Sequence, residues 1–118
     1  ICIMAKNLVA VVGAGKGTWG HLARLIENEP FDKILLVGND FGKENFKPAK
    51  PVEWLLLNSR SGFEVLKNAI KEKLPEGELA VSIISGTGKE HMALLTALKE
   101  AKLKFEYVIL TGDGTKYY

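Results

Sequence analysis

The stretch Leu8-Val9-Ala10-Val11-Val12-Gly13-Ala14-Gly15-Lys16-Gly17-Thr18 decides the fold. Residues 8–12 form a continuous apolar, β-branched run, the pattern of a strand covered on both faces, as in a parallel sheet. Gly13, Gly15 and Gly17 follow at once. Residues 18–28 then set Trp19, Leu22, Ala23 and Ile26 at helical spacing, and Pro30 stops that helix. A buried strand that feeds an amphipathic helix through a glycine-rich turn is the opening unit of an α/β sheet.

Working outward, Lys33–Val37 is a second apolar strand ending at Gly38-Asn39-Asp40. Residues 41–51 are polar and contain Pro48 and Pro51, so they read as a loop. Val52–Leu57 is a third strand. Ser61-Gly62-Phe63-Glu64 fits a capping box, and the helix behind it buries Phe63, Leu66, Ile70 and Leu74 before Pro75 and Gly77. Leu79–Ile84 is a fourth strand. Thr87-Gly88-Lys89-Glu90 is a second capping box, opening a helix with Met92, Leu95 and Leu98 inward. Phe105–Leu110 is a fifth strand, and Gly112–Tyr118 is a tail without clear structure. This order predicts a Rossmann-like three-layer α/β sandwich around a mostly parallel five-stranded sheet, ordered about 3-2-1-4-5. The roughly 14 residues 38–51 are barely enough for a parallel crossover.

The 118 residues are 47% hydrophobic and 25% charged, enough to bury a core, and residues 1–118 read as one domain. A single cysteine, Cys2, excludes a disulfide framework, and one Cys with two His excludes a Cys-rich zinc site. Neither a metal nor a cofactor is expected. No apolar run approaches the roughly 20 residues that span a bilayer, and no secretory signal is present, so a cytoplasmic protein without membrane contact is expected. The chain opens on Ile1, with Met4 as the alternative start. A net charge of +2 gives no basis for direct DNA binding. Fourteen Lys against two Arg, 11 Glu against three Asp and no Gln is the composition bias of a heat-loving prokaryote.

In the order 3-2-1-4-5, the first and fourth strands are neighbours whose connections leave in opposite directions. Open α/β sheets bind ligands at such a switch point. The two loops that meet there, Gly13–Gly20 and Ser85–Lys89, hold six of the 12 glycines. Glycine lets a backbone approach a ligand closely, and each loop feeds a helix N-terminus with free N–H groups. Lys16 and Lys89 add positive charge, and Thr18, Ser85 and Thr87 add hydroxyls. The expected ligand is an anion, a phosphate-bearing nucleotide, held by Gly13, Gly15, Lys16, Gly17, Thr18, Ser85, Gly86, Thr87, Gly88 and Lys89. The plain alternative is a structural or interaction domain whose glycines only tighten turns.

Two named motifs compete for the first loop. A Walker loop needs a glycine five residues before Gly15, and that position is Ala10, inside the strand. The dinucleotide fingerprint fits only as Gly13, Gly15 and Thr18, or two residues late as Gly15, Gly17 and Gly20, with Asp40 as a ribose-binding acid. This keeps a nucleotide- or dinucleotide-dependent enzyme as the rival reading, although a dehydrogenase would need a catalytic domain as well.

A family resemblance covers about residues 8–110. The first strand into Val12-Gly13-Ala14-Gly15-Lys16-Gly17-Thr18, and the fourth into Ile84-Ser85-Gly86-Thr87-Gly88-Lys89 followed by Met92-Ala93-Leu94, resemble CARF domains, the Rossmann-like sensors of cyclic oligoadenylates in CRISPR antiviral defence. Ser85, Gly86 and Lys89 fall in register with that family's second motif, while Thr87 and Gly88 are exchanged. The resemblance implies a homodimer that binds a cyclic oligoadenylate across its axis, lined by Lys16, Thr18, Ser85, Thr87 and Lys89. It also implies that a bare domain of this kind acts either as a sensor or as a metal-independent ring nuclease. In the nuclease, Lys89 with Ser85 or Thr87 would polarise a phosphodiester for attack by the ligand's own 2′-hydroxyl. The helix that usually joins the second and third strands, and any effector domain, are not apparent.

Other residues have plainer readings beside functional ones. His21 and His91 sit in the first turns of the helices leaving the two loops, as acid–base candidates or as ordinary polar residues. Trp19 is a core residue or a platform for a base, and Trp54 packs in the core or an interface. Nothing local marks Cys2 as reactive. Lys67, Lys71 and Lys73 read as a solvated helix face paired with Glu64 and Glu72. Tyr117-Tyr118 is a frayed end or part of a dimer contact.

Overall fold

The computed structural model describes residues 6–118. Cys2 and Met4 therefore lie outside the described residues. Six strands form one sheet: β1 Asn7–Val11, β2 Ile34–Gly38, β3 Glu53–Leu56, β4 Leu79–Ser82, β5 Phe105–Thr111 and β6 Gly114–Tyr117. Four helices connect them: α1 Trp19–Asn28, α2 Asp40–Asn45, α3 Phe63–Lys73 and α4 Gly88–Glu100. The spatial order is β3-β2-β1-β4-β5-β6. β3 through β5 run parallel, and β6 returns antiparallel to β5. The expected α/β sandwich and the order of its first five strands are observed.

The period-two geometry of β1 sorts its side chains between two cores. Leu8, Ala10 and Val12 pack with Trp19, Leu22, Leu25 and Ile26 of α1 and with Phe46 behind α2. Val9 and Val11 face Leu66 and Ile70 of α3 and Ala93, Leu94, Ala97 and Leu98 of α4. The central strand is buried throughout because helices cover both faces.

Several sequence expectations are corrected, beginning with the five-stranded sheet, which has six strands. Part of the expected loop 41–51 is α2: the Asn39 side chain caps it by accepting from the Gly42 N–H at 3.0 Å. Gly42 is buried against Val12 and Trp54, at distances where a Cβ would make ordinary contacts. The tail is a strand, because the Gly112-Asp113 turn closes a hairpin in which Gly114 takes φ +108°. Ser61 does not cap α3. Gly62 holds that position without a side-chain bond, and the Glu64 carboxylate turns to Lys67 at 2.6 Å. Lys67 is buried rather than solvated, since Glu100 of α4 also binds it at 3.0 Å.

The Thr87–Glu90 capping box is observed in full. The inward stripe of α4 is Ala93, Leu94, Ala97 and Leu98, leaving Met92 63% exposed. A helix wedged between a sheet and α3 buries two adjacent positions per turn, not the single stripe at 92, 95 and 98.

Candidate functional site

The strand order places the carboxyl ends of β1 and β4 side by side, and the loops leaving them enclose a crevice of about 440 Å³. It is lined by Gly13, Ala14, Gly15, Gly17 and Thr18 from one loop and by Ile84, Ser85, Gly86 and Thr87 from the other.

The two loops interlock through backbone. Gly13 N–H donates to Ser85 Oγ at 2.8 Å, and Ser85 is buried. A Cβ on Gly13 would come within 2.8 Å of Gly86 Cα and N. Gly86 has φ +105°, and a Cβ there would collide with Val11 Cγ1. Gly13 and Gly86 are therefore required by the protein's own packing. Gly15 and Gly17 differ: a Cβ on either would meet nothing within 4 Å. Gly15 has an ordinary extended φ of −75°, and neither residue adopts a positive φ. Two glycines that neither packing nor dihedral angle requires line the open side of the crevice.

Other side chains brace the site rather than fill it. Trp19 is 8% exposed, and its indole N–H donates to Gly13 O at 2.9 Å. It is a core residue holding the loop, not an open platform for a base. His91 donates from Nε2 to Ser85 O at 2.7 Å, as it must to bond a carbonyl. His21 Nε2 accepts from the Leu110 N–H at 3.2 Å, tying α1 to β5. Both histidines thus have structural partners. Thr87 Oγ1 accepts from the Glu90 N–H at 3.2 Å, and the Glu90 carboxylate accepts from the Thr87 N–H at 2.9 Å.

Neither lysine lines the crevice. Lys89 donates to Ser61 O at 2.7 Å, in the loop between β3 and α3. Lys16 places its ammonium 5.8 Å from the Trp19 ring centroid and 5.4 Å from that of Phe41. Gly88 opens α4 just outside the lining. The crevice lining is therefore uncharged, made of backbone and hydroxyl groups, while the Lys16 ammonium sits by Phe41 and that of Lys89 by the β3–α3 loop.

A second cavity, of about 470 Å³, opens at the carboxyl ends of β2 and β3 and is lined by Asn39, Asp40, Phe41 and Leu56–Ser59. Sequence reading reached only Asp40 there; the available signal was an aromatic residue directly after the Asn39-Asp40 strand end. Among the described residues, no cluster of three or more His, Cys, Asp or Glu side chains can hold a metal ion. No described helix is long and apolar enough to cross a membrane.

Fold and crevice together define a doubly wound α/β domain with an open pocket at its switch point. No protein-family model and no curated protein matches the chain.

Proposed function

We propose that this domain binds a phosphate-bearing nucleotide in the crevice between Gly13–Thr18 and Ile84–Thr87. The observation that carries the reading is the pair Gly15 and Gly17, open to the crevice and unneeded by the fold. Glycine costs stability relative to alanine where it is not required. Gly20, Gly62, Gly88 and Gly112 are equally unhindered; what sets Gly15 and Gly17 apart is that they line the crevice, where a ligand can approach their backbone closely. Backbone amides at a strand-to-helix turn are the groups that bind phosphate oxygens.

The specific proposal is a CARF-like sensor of a cyclic oligoadenylate, acting in prokaryotic CRISPR defence. The sequence resemblance supports it, as do two loops converging on one crevice. An apolar cavity of about 420 Å³, lined by Ile83, Ile84, Tyr107, Ile109 and Tyr118 among others, shares Ile84 with the crevice. This supports a second copy docking beside it and a ligand that spans both. Sensing is favoured over cleavage. Ser85 and Thr87 keep O–H donors to hold a ligand, but the Lys89 ammonium that would polarise a phosphodiester is held on Ser61 O outside the crevice lining.

Calorimetric titration with cyclic tetra- and hexa-adenylate tests this reading. Micromolar or tighter binding by a sedimenting dimer, weakened by Gly15→Ala, is expected. No heat with either ring, while NAD or a mononucleotide binds, would replace it with the nucleotide-dependent enzyme. No binding of any of them would leave a structural domain.

A further inference from the structure

We infer that the second cavity, at the ends of β2 and β3, is a nucleobase subsite that takes the base of the nucleotide whose phosphate lies in the glycine crevice. The inference rests on the crevice reading above. Three observations lead to it.

The first is placement. Val11 pairs with Val37, and Val37 with Leu55, so Gly13 lies in line with Asn39 and then Leu57. Adjacent strands are about 4.8 Å apart, which puts the cavity roughly 5–10 Å from the crevice, within the reach of one nucleoside.

The second is chemistry. Phe41 is 42% exposed and lines the cavity, and its ring rests at a tilt on the buried Trp19, which in turn meets the buried Phe46 edge to face. An open aromatic ring on a rigid apolar backing is a stacking surface for a planar base. Asn39 and Asn58 have each committed Oδ1 to a backbone N–H, of Gly42 and Arg60, which leaves their amide N–H groups to face ring nitrogens. Asp40 supplies a carboxylate that accepts from amino or hydroxyl hydrogens.

The third is charge. Asp40 is balanced by Lys89, 3.4 Å from Ser59 O, and by Lys16 beside Phe41, so repulsion does not sort the ligand; the uncharged, glycine-lined backbone of the crevice is what favours phosphate there. The ligand is thereby oriented, with its phosphate over β1 and β4 and its base over β2 and β3. Lys16 stands between them, its ammonium 5.4 Å from the Phe41 centroid and its backbone in the turn beside Gly15 and Gly17.

Amide NMR titrations with adenosine and, separately, with inorganic phosphate test the two halves independently. Adenosine, which carries no phosphate, is expected to shift Asn39–Phe41 and Asn58–Ser59. Phe41→Ala is expected to weaken it by about tenfold or more, the worth of one stacked base. Phe41 is exposed, so the variant keeps its fold, and its unchanged phosphate response verifies that. Phosphate is expected to shift Gly15–Thr18 and Ser85–Thr87 in both proteins. Phosphate shifts without adenosine shifts, or adenosine binding indifferent to Phe41→Ala, overturn the subsite and leave the crevice reading standing. Adenosine shifts without phosphate shifts overturn the crevice reading, and with it a single ligand shared by the two cavities. Absence of both sets overturns both.

Discussion

The two ends of the sheet are built on opposite plans. At the amino end, around the start of the central strand, side chains tie the connections together. Asn7, buried in β1, donates to Glu76 O and accepts from the Lys33 N–H, tying the α3–β4 and α1–β2 connections to the strand. Lys6 pairs with Glu106 at 2.8 Å and lies over the Tyr117 ring, and the Tyr117 hydroxyl donates to Glu29 at 2.6 Å. At the carboxyl end, the loops meet through bare backbone at Gly13 and Gly86, and beyond that contact glycines leave space. In open α/β sheets the ligand end is the carboxyl end. Side chains brace both ends, but only at the carboxyl end do glycines bring two loops together and leave an opening between them.

The sharpest way to break the contrast is to put a side chain where the loops interlock. Gly86→Ala combines a strained φ with a collision against Val11. It is expected to cost about 3–4 kcal/mol, measured by urea unfolding. A cost below about 1 kcal/mol would mean that the loops are not locked together. Next is the amino end. Asn7→Ala leaves the Lys33 N–H and the Glu76 carbonyl without their partner and is expected to cost about 2 kcal/mol, with ligand affinity unchanged.

A smaller effect distinguishes the ends by pH. Burial first, and then its bond to Glu29, raises the Tyr117 phenol above the ordinary value of 10.0. Because the folded value is the higher one, the contribution is intact below pH 10 and is lost as pH rises through the folded value. Tyr117→Phe is expected to cost about 1 kcal/mol at neutral pH, and its difference from the wild type to shrink above pH 10. A difference that stays constant into the alkaline range would show that the Glu29 bond does not form.

What was legible in the sequence follows from the range of the interactions involved. β1, α1 and the Thr87–Glu90 cap are set by neighbours within one or two turns, and their patterns announced them. The six residues of α2 are too few to show a period, and Pro48 and Pro51 outweighed the Asn39 cap. β6 carries Gly114-Thr115-Lys116-Tyr117, without apolar alternation, and is held by pairing to β5 rather than by a buried face. Lys67 looks like a surface residue until Glu100, 33 positions away, is folded against it. The place of the crevice was legible because glycines cluster at two strand ends. Its lining was not. The direction of Lys89 depends on carbonyls in the β3–α3 loop, and the separation of packing glycines from open ones depends on a contact between residues 13 and 85.

The last comparison lies inside the carboxyl end, between Gly86 and the pair Gly15 and Gly17, and it has the smallest expected effect on stability. Alanine at 15 or 17 meets no atom within 4 Å and needs no positive φ. Each substitution also restricts the unfolded chain, so each is expected to raise stability by about 0.5 kcal/mol, the reverse of Gly86→Ala. Each also places a methyl group at the rim where a phosphate oxygen would approach the backbone. If the crevice holds an anion, Gly15→Ala and Gly17→Ala are therefore more stable than the wild type and bind the ligand at least about tenfold more weakly, the cost of one lost charge-assisted hydrogen bond. If the glycines only shape a turn, the variants gain the same stability and bind unchanged. Unfolding and calorimetry on the same two proteins separate these outcomes, because one substitution moves the two measurements in opposite directions only when a ligand fills the space.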